Sequence, residues 1–157
     1  MKEYFSDIVL QRISEATALY CRLVLLVAKC GSGKTAVLQQ VHERTGAPLV
    51  NMNLELSRRL LDLTDRQRIL LLPKLLEEIA GASSGQTVLL DNIEILFDPV
   101  LKQDPLRLLQ KLSRNRNVVA TWNGYVDDKN LYYALPDHPE YKRYPLQDFL
   151  LVNLGRN

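Results

Sequence analysis

The stretch that decides the fold is Ala28-Lys29-Cys30-Gly31-Ser32-Gly33-Lys34-Thr35, which lies between an apolar run and a helix-forming segment. It departs from the phosphate-binding pattern G-x-x-x-x-G-K-[ST] only at Ala28, where a Cβ is tolerated if φ stays negative. In such a loop, backbone N–H groups and a helix N-terminus bind phosphate oxygens, the lysine reaches the β and γ phosphates, and the hydroxyl can bind Mg²⁺. The residues predicted to bind phosphate are Cys30, Gly31, Ser32, Gly33, Lys34 and Thr35.

Strands and helices are predicted to alternate on both sides of this loop. The apolar run 23–27 before it is typical of a strand covered on both faces. Further strands are predicted at 49–54, 87–91, 117–122 and 148–153. Helices are predicted at about 3–20, 34–43, 55–63 and 105–112, and another is predicted to begin at a capping box formed by Thr64 and Gln67. Pro73 is expected to kink or split its helix. The order predicts an α/β fold of three layers with a mostly parallel sheet of about five strands. Together with the glycine loop, it is interpreted as a P-loop NTPase core of the AAA-like (ASCE) division.

Length and composition limit what else the chain holds. With 157 residues, 46% of them hydrophobic, we expect one domain over 1–157 without a helical lid domain. The 20 basic and 18 acidic residues nearly balance, which does not indicate a dedicated nucleic-acid binder. Cys21 and Cys30 are too few for a disulfide scaffold or a zinc site. Without a signal peptide or an apolar span, we expect a cytoplasmic protein that does not enter a membrane.

A partner acid is expected where a neighbouring strand ends, and Val88-Leu89-Leu90-Asp91 provides one. We predict that Asp91 holds the Mg²⁺ shell together with Thr35. The alternative is that Asp91 only caps the next helix.

The group that activates water is less clearly marked. Related ATPases often have a glutamate directly after this aspartate, whereas here Asn92 follows and Glu94 comes two residues later. An amide cannot act as a base, so either Glu94 polarises the water or Asn92 only positions it. If a helical turn begins here, Asp91 and Glu94 lie on one side of it. A merely solvated Glu94 is equally compatible with the sequence.

Asn123 ends the fourth predicted strand and could contact the γ-phosphate or the attacking water, with Thr121 as the alternative sensor. Asn123-Gly124 is also an ordinary turn dipeptide. A second cation at the γ-phosphate could come from a neighbouring copy as an arginine finger, for which Arg114, Arg116 and Arg143 are the candidates. The same arginines could instead be solvated or contact nucleic-acid phosphates.

Four segments of the chain resemble one family: NLELSR at 53–58, LDNIEILFDP at 90–99, LSRNR at 112–116 and DHPEY at 137–141. The family is BrxF, the small P-loop proteins of type III BREX (bacteriophage exclusion) defence systems. The resemblance implies a prokaryotic antiphage component that binds ATP, hydrolyses it and works with other BREX proteins, one of them a DNA methyltransferase. The resemblance assigns roles to the phosphate-binding loop and to Asp91. It does not assign the base, the sensor or the arginine finger, because Asn92 stands where related ATPases have an acid.

The sequence therefore predicts ATP and Mg²⁺ as ligands, since the guanine-reading motif is absent, and self-association to complete the site. Direct DNA binding is possible but not indicated. Two alternatives remain: a nucleotide-dependent interaction module with little hydrolysis, and a small-molecule kinase.

Overall fold

A computed structural model describes residues 2–29, 31–82, 85–134 and 137–155. The helices are α1 (Lys2–Ala16), α2 (Lys34–Thr45), α3 (Met52–Leu60), α4 (Asp65–Ala80) and α5 (Pro105–Leu112). The strands are β1 (Leu23–Ala28), β2 (Leu49–Asn51), β3 (Thr87–Asp91), β4 (Asn117–Val126), β5 (Asn130–Tyr133), β6 (Lys142–Pro145) and β7 (Leu150–Asn153). Short 3-10 helices cover Ile93–Phe97 and Pro99–Leu101.

The centre of the sheet is parallel, as predicted, in the strand order β2-β3-β4-β1-β7. All six residues of β1 are buried, and both its neighbours run parallel to it. Its side chains alternate between two apolar clusters: Val24 and Leu26 pack with α1 and α2, whereas Leu25 and Val27 pack with the other helices. Because apolar side chains point from both faces of the sheet, helices pack on both faces and bury them. The result is three layers, with the sheet between two layers of helices.

Several predicted elements are confirmed at their boundaries. The strand 87–91 and the helix 105–112 have the predicted bounds. At the start of α4, Thr64 Oγ1 accepts from the backbone N–H of Gln67, whose side chain in turn accepts from the backbone N–H of Thr64. These ends depend on interactions between residues that are close along the chain, and such interactions can be predicted from the sequence.

Other boundaries were predicted wrongly. The second strand was expected to continue to 54, but it stops at Asn51, whose side chain accepts from Leu54 N at 3.1 Å and caps α3. The first helix ends at Ala16 rather than near Tyr20. β2 is three residues long and pairs with β3 at the edge of the parallel sheet.

Pro73 lies inside α4, which is one helix. A proline removes a backbone N–H and leaves the carbonyl four residues earlier without its helical partner. Here that carbonyl, Ile69 O, accepts from Gln103 Nε2 at 3.1 Å. A side chain from outside the helix thus replaces the missing donor, which explains how the helix accommodates the proline.

The sheet also has an extension that was not predicted from the sequence, since the described part of the chain has seven strands rather than about five. Beyond Trp122, β4 continues and pairs antiparallel with β5, which pairs antiparallel with β6. Trp122 Nε1 donates to Tyr132 O at 3.0 Å. Gly124 lies within β4 and not in a turn, and a Cβ there would come 1.9 Å from Tyr132 O. The turn interpretation of Asn123-Gly124 is therefore wrong.

Candidate functional site

The loop between β1 and α2 has the backbone conformation that its glycines allow. Gly31 and Gly33 adopt φ values of 81° and 89°, and Ser32 N donates to Lys29 O at 3.2 Å. A residue with a side chain strongly disfavours such angles. Ala28 is not among the described residues with positive φ, as expected for its Cβ. Cys30, predicted to bind phosphate, lies outside the described residues.

Lys34 opens α2 and folds back under the loop. The residue is 6% exposed, and Nζ donates to Ala28 O at 3.1 Å and Lys29 O at 2.6 Å. The ammonium group therefore lies beside the turn of the loop, where it is held by backbone carbonyls. An ammonium group held in this way can transfer its hydrogen bonds to an anion that enters the loop.

Asp91 is held by hydroxyl groups from two other elements. Its Oδ2 accepts from Thr35 Oγ1 at 2.7 Å, and its Oδ1 accepts from Thr121 Oγ1 at 2.9 Å and from Asn92 N at 2.9 Å. The residue is 7% exposed and Thr121 is 1% exposed. The cap of the following 3-10 helix is Asn92, and its side chain makes no capping bond, so Asp91 links β3, β4 and α2 instead of capping a helix.

Glu94 and Asn123 form a second polar pair beside Asp91. Asn92 adopts a left-handed conformation with φ 55°, and the 3-10 helix that follows carries Glu94. Glu94 Oε2 accepts from Asn123 Nδ2 at 2.8 Å. Burial raises the pKa of Glu94 above its ordinary value and the charge of Asp91 adds to the rise, whereas a backbone hydrogen bond and Lys34 oppose it.

These side chains surround one pocket of about 580 Å³ at the carboxyl end of the parallel strands. It is lined by Gly31, Gly33, Lys34, Thr35, Ala36, Gln39, Asp91, Asn92, Glu94, Thr121 and Asn123. The structure thus brings most of the predicted site residues together. Gln39 was missed, although it lies four residues after Thr35 and hence on the same face of α2.

The donor atoms at the pocket suit a hard cation. Among the described residues there is no group of three or more His, Cys, Asp or Glu side chains that could hold a metal ion. Thr35 and Asp91 offer oxygen donors only, 2.7 Å apart. Mg²⁺ prefers oxygen and commonly takes only one or two protein carboxylates plus phosphate oxygens and water. The residues present therefore fit Mg²⁺ carried in with phosphates.

The three candidate finger arginines do not line this pocket. Arg116 Nη2 lies 3.1 Å from Glu77 Oε1, and the guanidinium of Arg114 lies 5.0 Å from the ring centre of Tyr20. Both precede β4, at the opposite end of the strands. Arg143 is exposed in β6. A role for any of them in a neighbouring copy's site stays a prediction.

The fold and pocket define an α/β protein with a mostly parallel sheet and five helices in its described part. No family model and no curated protein matches the chain. Among solved structures it is similar to C. elegans PCH-2, with a TM-score of 0.51 and 15% identity over 99% of this chain and 43% of that chain. PCH-2 is an AAA+ ATPase. At this identity the likeness concerns the fold, and this chain spans less than half of PCH-2.

Within the described ranges, no helix has the length and apolar character needed to cross a membrane.

Proposed function

We propose that the protein binds ATP with Mg²⁺ and hydrolyses it. The observation that carries the proposal is the pocket of about 580 Å³ in which the glycine loop, Lys34, Thr35, Asp91 and Glu94 converge. The similarity of fold to an AAA+ ATPase supports it.

Each group around the pocket has a definite task in this proposal. The N–H groups around Gly31 and Gly33 and the N-terminus of α2 bind phosphate oxygens. Lys34 releases the carbonyls of Ala28 and Lys29 and turns to the β and γ phosphates. Thr35 and Asp91 would hold Mg²⁺, which supplies positive charge for the phosphate oxygens. Thr121 keeps the Asp91 carboxylate in place.

Glu94 is the base in this proposal. Its carboxylate accepts a proton from water while the water oxygen bonds to the γ-phosphorus and the bond to the ADP oxygen breaks, which yields ADP and inorganic phosphate. A carboxyl group whose pKa is raised by burial is a stronger base than a solvated one. Asn123 orients Glu94 through the 2.8 Å hydrogen bond.

One observation favours a second candidate, a module that binds ATP to change its partners with little turnover. The residue directly after Asp91 is an amide, and Glu94 is already engaged by Asn123. Glu94→Gln separates the two functions: an ATPase loses most of its turnover, whereas a binding module keeps the same slow rate and the same affinity for ATP.

The experiment that tests the ATPase is phosphate release from ATP by the purified chain, with binding measured in parallel. Lys34→Ala is expected to abolish binding or turnover, and Asp91→Ala to abolish turnover, because each removes a group that faces the phosphates. Lys74→Ala, at an exposed position on α4, is the matched control and should behave as wild type. Normal hydrolysis by the Lys34 or Asp91 variant would refute the site. Phosphate transfer to an added small-molecule acceptor instead of water would indicate a kinase.

We further propose, from the resemblance of its four sequence segments, that the protein is a component of a BREX antiphage system and associates with itself and with other BREX proteins. The arginines that would enter the site of a neighbouring copy are Arg114, Arg116 and Arg143. Specific activity should rise with protein concentration, and mass measurements with and without ATP and Mg²⁺ should show assembly. A flat activity and one mass under both conditions would contradict self-association.

A further inference from the structure

A groove of about 250 Å³ lies between α4 and α5, and it is called the α4–α5 groove below. Its apolar lining includes three buried leucines, Leu76, Leu108 and Leu112. Its charged lining residues are Lys74, Glu77 and Lys111. None of these residues lines the pocket at the glycine loop, so the α4–α5 groove is separate from the proposed nucleotide site.

Pro73 adds a further apolar surface to the groove from within α4. A proline in a helix normally costs stability, and here Gln103 Nε2 replaces the donor that the proline removes. The proline ring is rigid and has no N–H group that would need a partner. Together with the leucines it forms a surface that suits an apolar side chain, because burying apolar surfaces against each other removes both from water.

The α5 side of the groove is basic. The segment 105–116 contains four basic residues and no acidic residue. One of the four, Arg116, is paired with Glu77. Arg107 and Lys111 take part in none of the ion pairs of the described residues. They are four positions apart and therefore neighbours on one face of α5, where their like charges repel each other. An acidic partner would relieve this repulsion.

We propose that the α4–α5 groove binds an acidic peptide segment of a partner protein, with one bulky apolar side chain in the groove and carboxylates beside it. Charge complementarity selects this partner: Glu77 is already paired, whereas Lys74 and Lys111 are the described lining charges without an ion pair. A nucleic acid is also acidic, but its bases are bound by stacking on aromatic rings, and none of the described lining residues is aromatic. The buried leucines instead suit an apolar anchor residue of a peptide.

The probe is a library of short random peptides displayed on phage and selected on the full chain. Selection should enrich peptides in which a leucine, isoleucine, methionine or phenylalanine is flanked by aspartate or glutamate. The Kd of one enriched peptide is then measured by fluorescence anisotropy. In Lys111→Glu this Kd should rise about tenfold, because an attraction to the carboxylates becomes a repulsion. Replacing the apolar anchor of the peptide with alanine should also raise the Kd about tenfold. Lys142→Glu makes the same charge change at an exposed residue of β6 outside the groove, and its Kd should stay within about twofold of wild type.

A charge swap completes the test. The same peptide with lysine in place of its carboxylates should bind Lys111→Glu more tightly than it binds wild type. If Lys111→Glu does not fold, Lys111→Ala removes the charge alone and should raise the Kd of the acidic peptide about threefold.

Several results would overturn the proposal. One is a selection that enriches no acidic peptides, and another is equal affinity of the enriched peptide for wild type and Lys111→Glu. Binding of a single-stranded oligonucleotide that depends on Lys111, with no acidic peptide enriched, would assign the basic side of α5 to a nucleic acid instead. A wild-type dimer that dissociates in Lys111→Glu would assign the groove to a second copy of the chain.

Discussion

Replacing Thr121 with valine tests whether the link between β4 and Asp91 matters for both stability and turnover. Valine has the shape of threonine but lacks the hydroxyl, so Thr121→Val removes the 2.9 Å hydrogen bond to Asp91 Oδ1 and leaves the packing in place. Both residues are buried, at 1% and 7% exposure, so water cannot easily replace the lost donor. Asp91 keeps two donors, Thr35 Oγ1 and Asn92 N.

The expected magnitude follows from these contacts. A hydrogen bond to a charged group contributes about 1.5–3 kcal/mol, and two remaining donors put this loss near the lower end, at about 1.5 kcal/mol. For a chain of this length, 1 kcal/mol corresponds to about 2–4 °C in Tm, so the melting temperature should fall by about 3–6 °C. ATP turnover should fall about tenfold, because a carboxylate with one anchor fewer is less well positioned.

The assay is thermal unfolding together with steady-state phosphate release. Thr121→Ser restores the hydroxyl and should recover most of the turnover. Thr17→Val is the control, since the Thr17 hydroxyl is exposed and donates to Ile13 O within its own segment, so its loss should change stability by less than about 0.5 kcal/mol. Unchanged Tm and turnover in Thr121→Val would refute the assigned role of the hydroxyl.

Three further predictions concern charge, backbone and helix. Burial disfavours the ionised form of Glu94 in the folded state, so Glu94→Gln should raise the Tm at pH values above the raised pKa of Glu94. This gain in Tm should shrink as the pH falls through that pKa. It should vanish below about pH 4.3, the pKa of a glutamate in an unfolded chain. Asn92→Val should cost about 1–2 kcal/mol and lower turnover because φ is 55°, whereas Asn92→Gly should be nearly neutral in chemical denaturation. Gln103→Ala should cost about 1 kcal/mol, and less when Pro73→Ala restores the backbone donor to Ile69 O, as a double-mutant cycle would measure.

Much of the fold was predictable because its determinants are local. The buried run before the glycine loop, the strand that ends at Asp91, and the capping box at Thr64 each depend on a few adjacent residues. The hairpin of β5 and β6 was not predictable in this way. Its strands are short, and they are stabilised by non-local contacts such as the stacking of Tyr133 on Phe97 at 3.5 Å between ring centres.

Some features of the candidate site could likewise be predicted from the sequence, and others could not. Lys34, Thr35 and Asp91 were predicted from motifs, since each motif has a characteristic position after a parallel strand. The hydrogen bond between Glu94 and Asn123 joins residues 29 positions apart, and the one between Thr121 and Asp91 joins residues 30 positions apart. No spacing rule connects such pairs, because the strand order sets which strand ends meet.

By itself, then, the sequence determined the alternation of strands and helices, the glycine turn and the acid that follows β3, because backbone propensity, capping and apolar patterning act over a few residues. Only the tertiary structure decided that Thr121 anchors Asp91 and that Asn123 reaches Glu94. Those relations arise from packing two helical layers on one twisted sheet, which brings together residues that are distant along the chain.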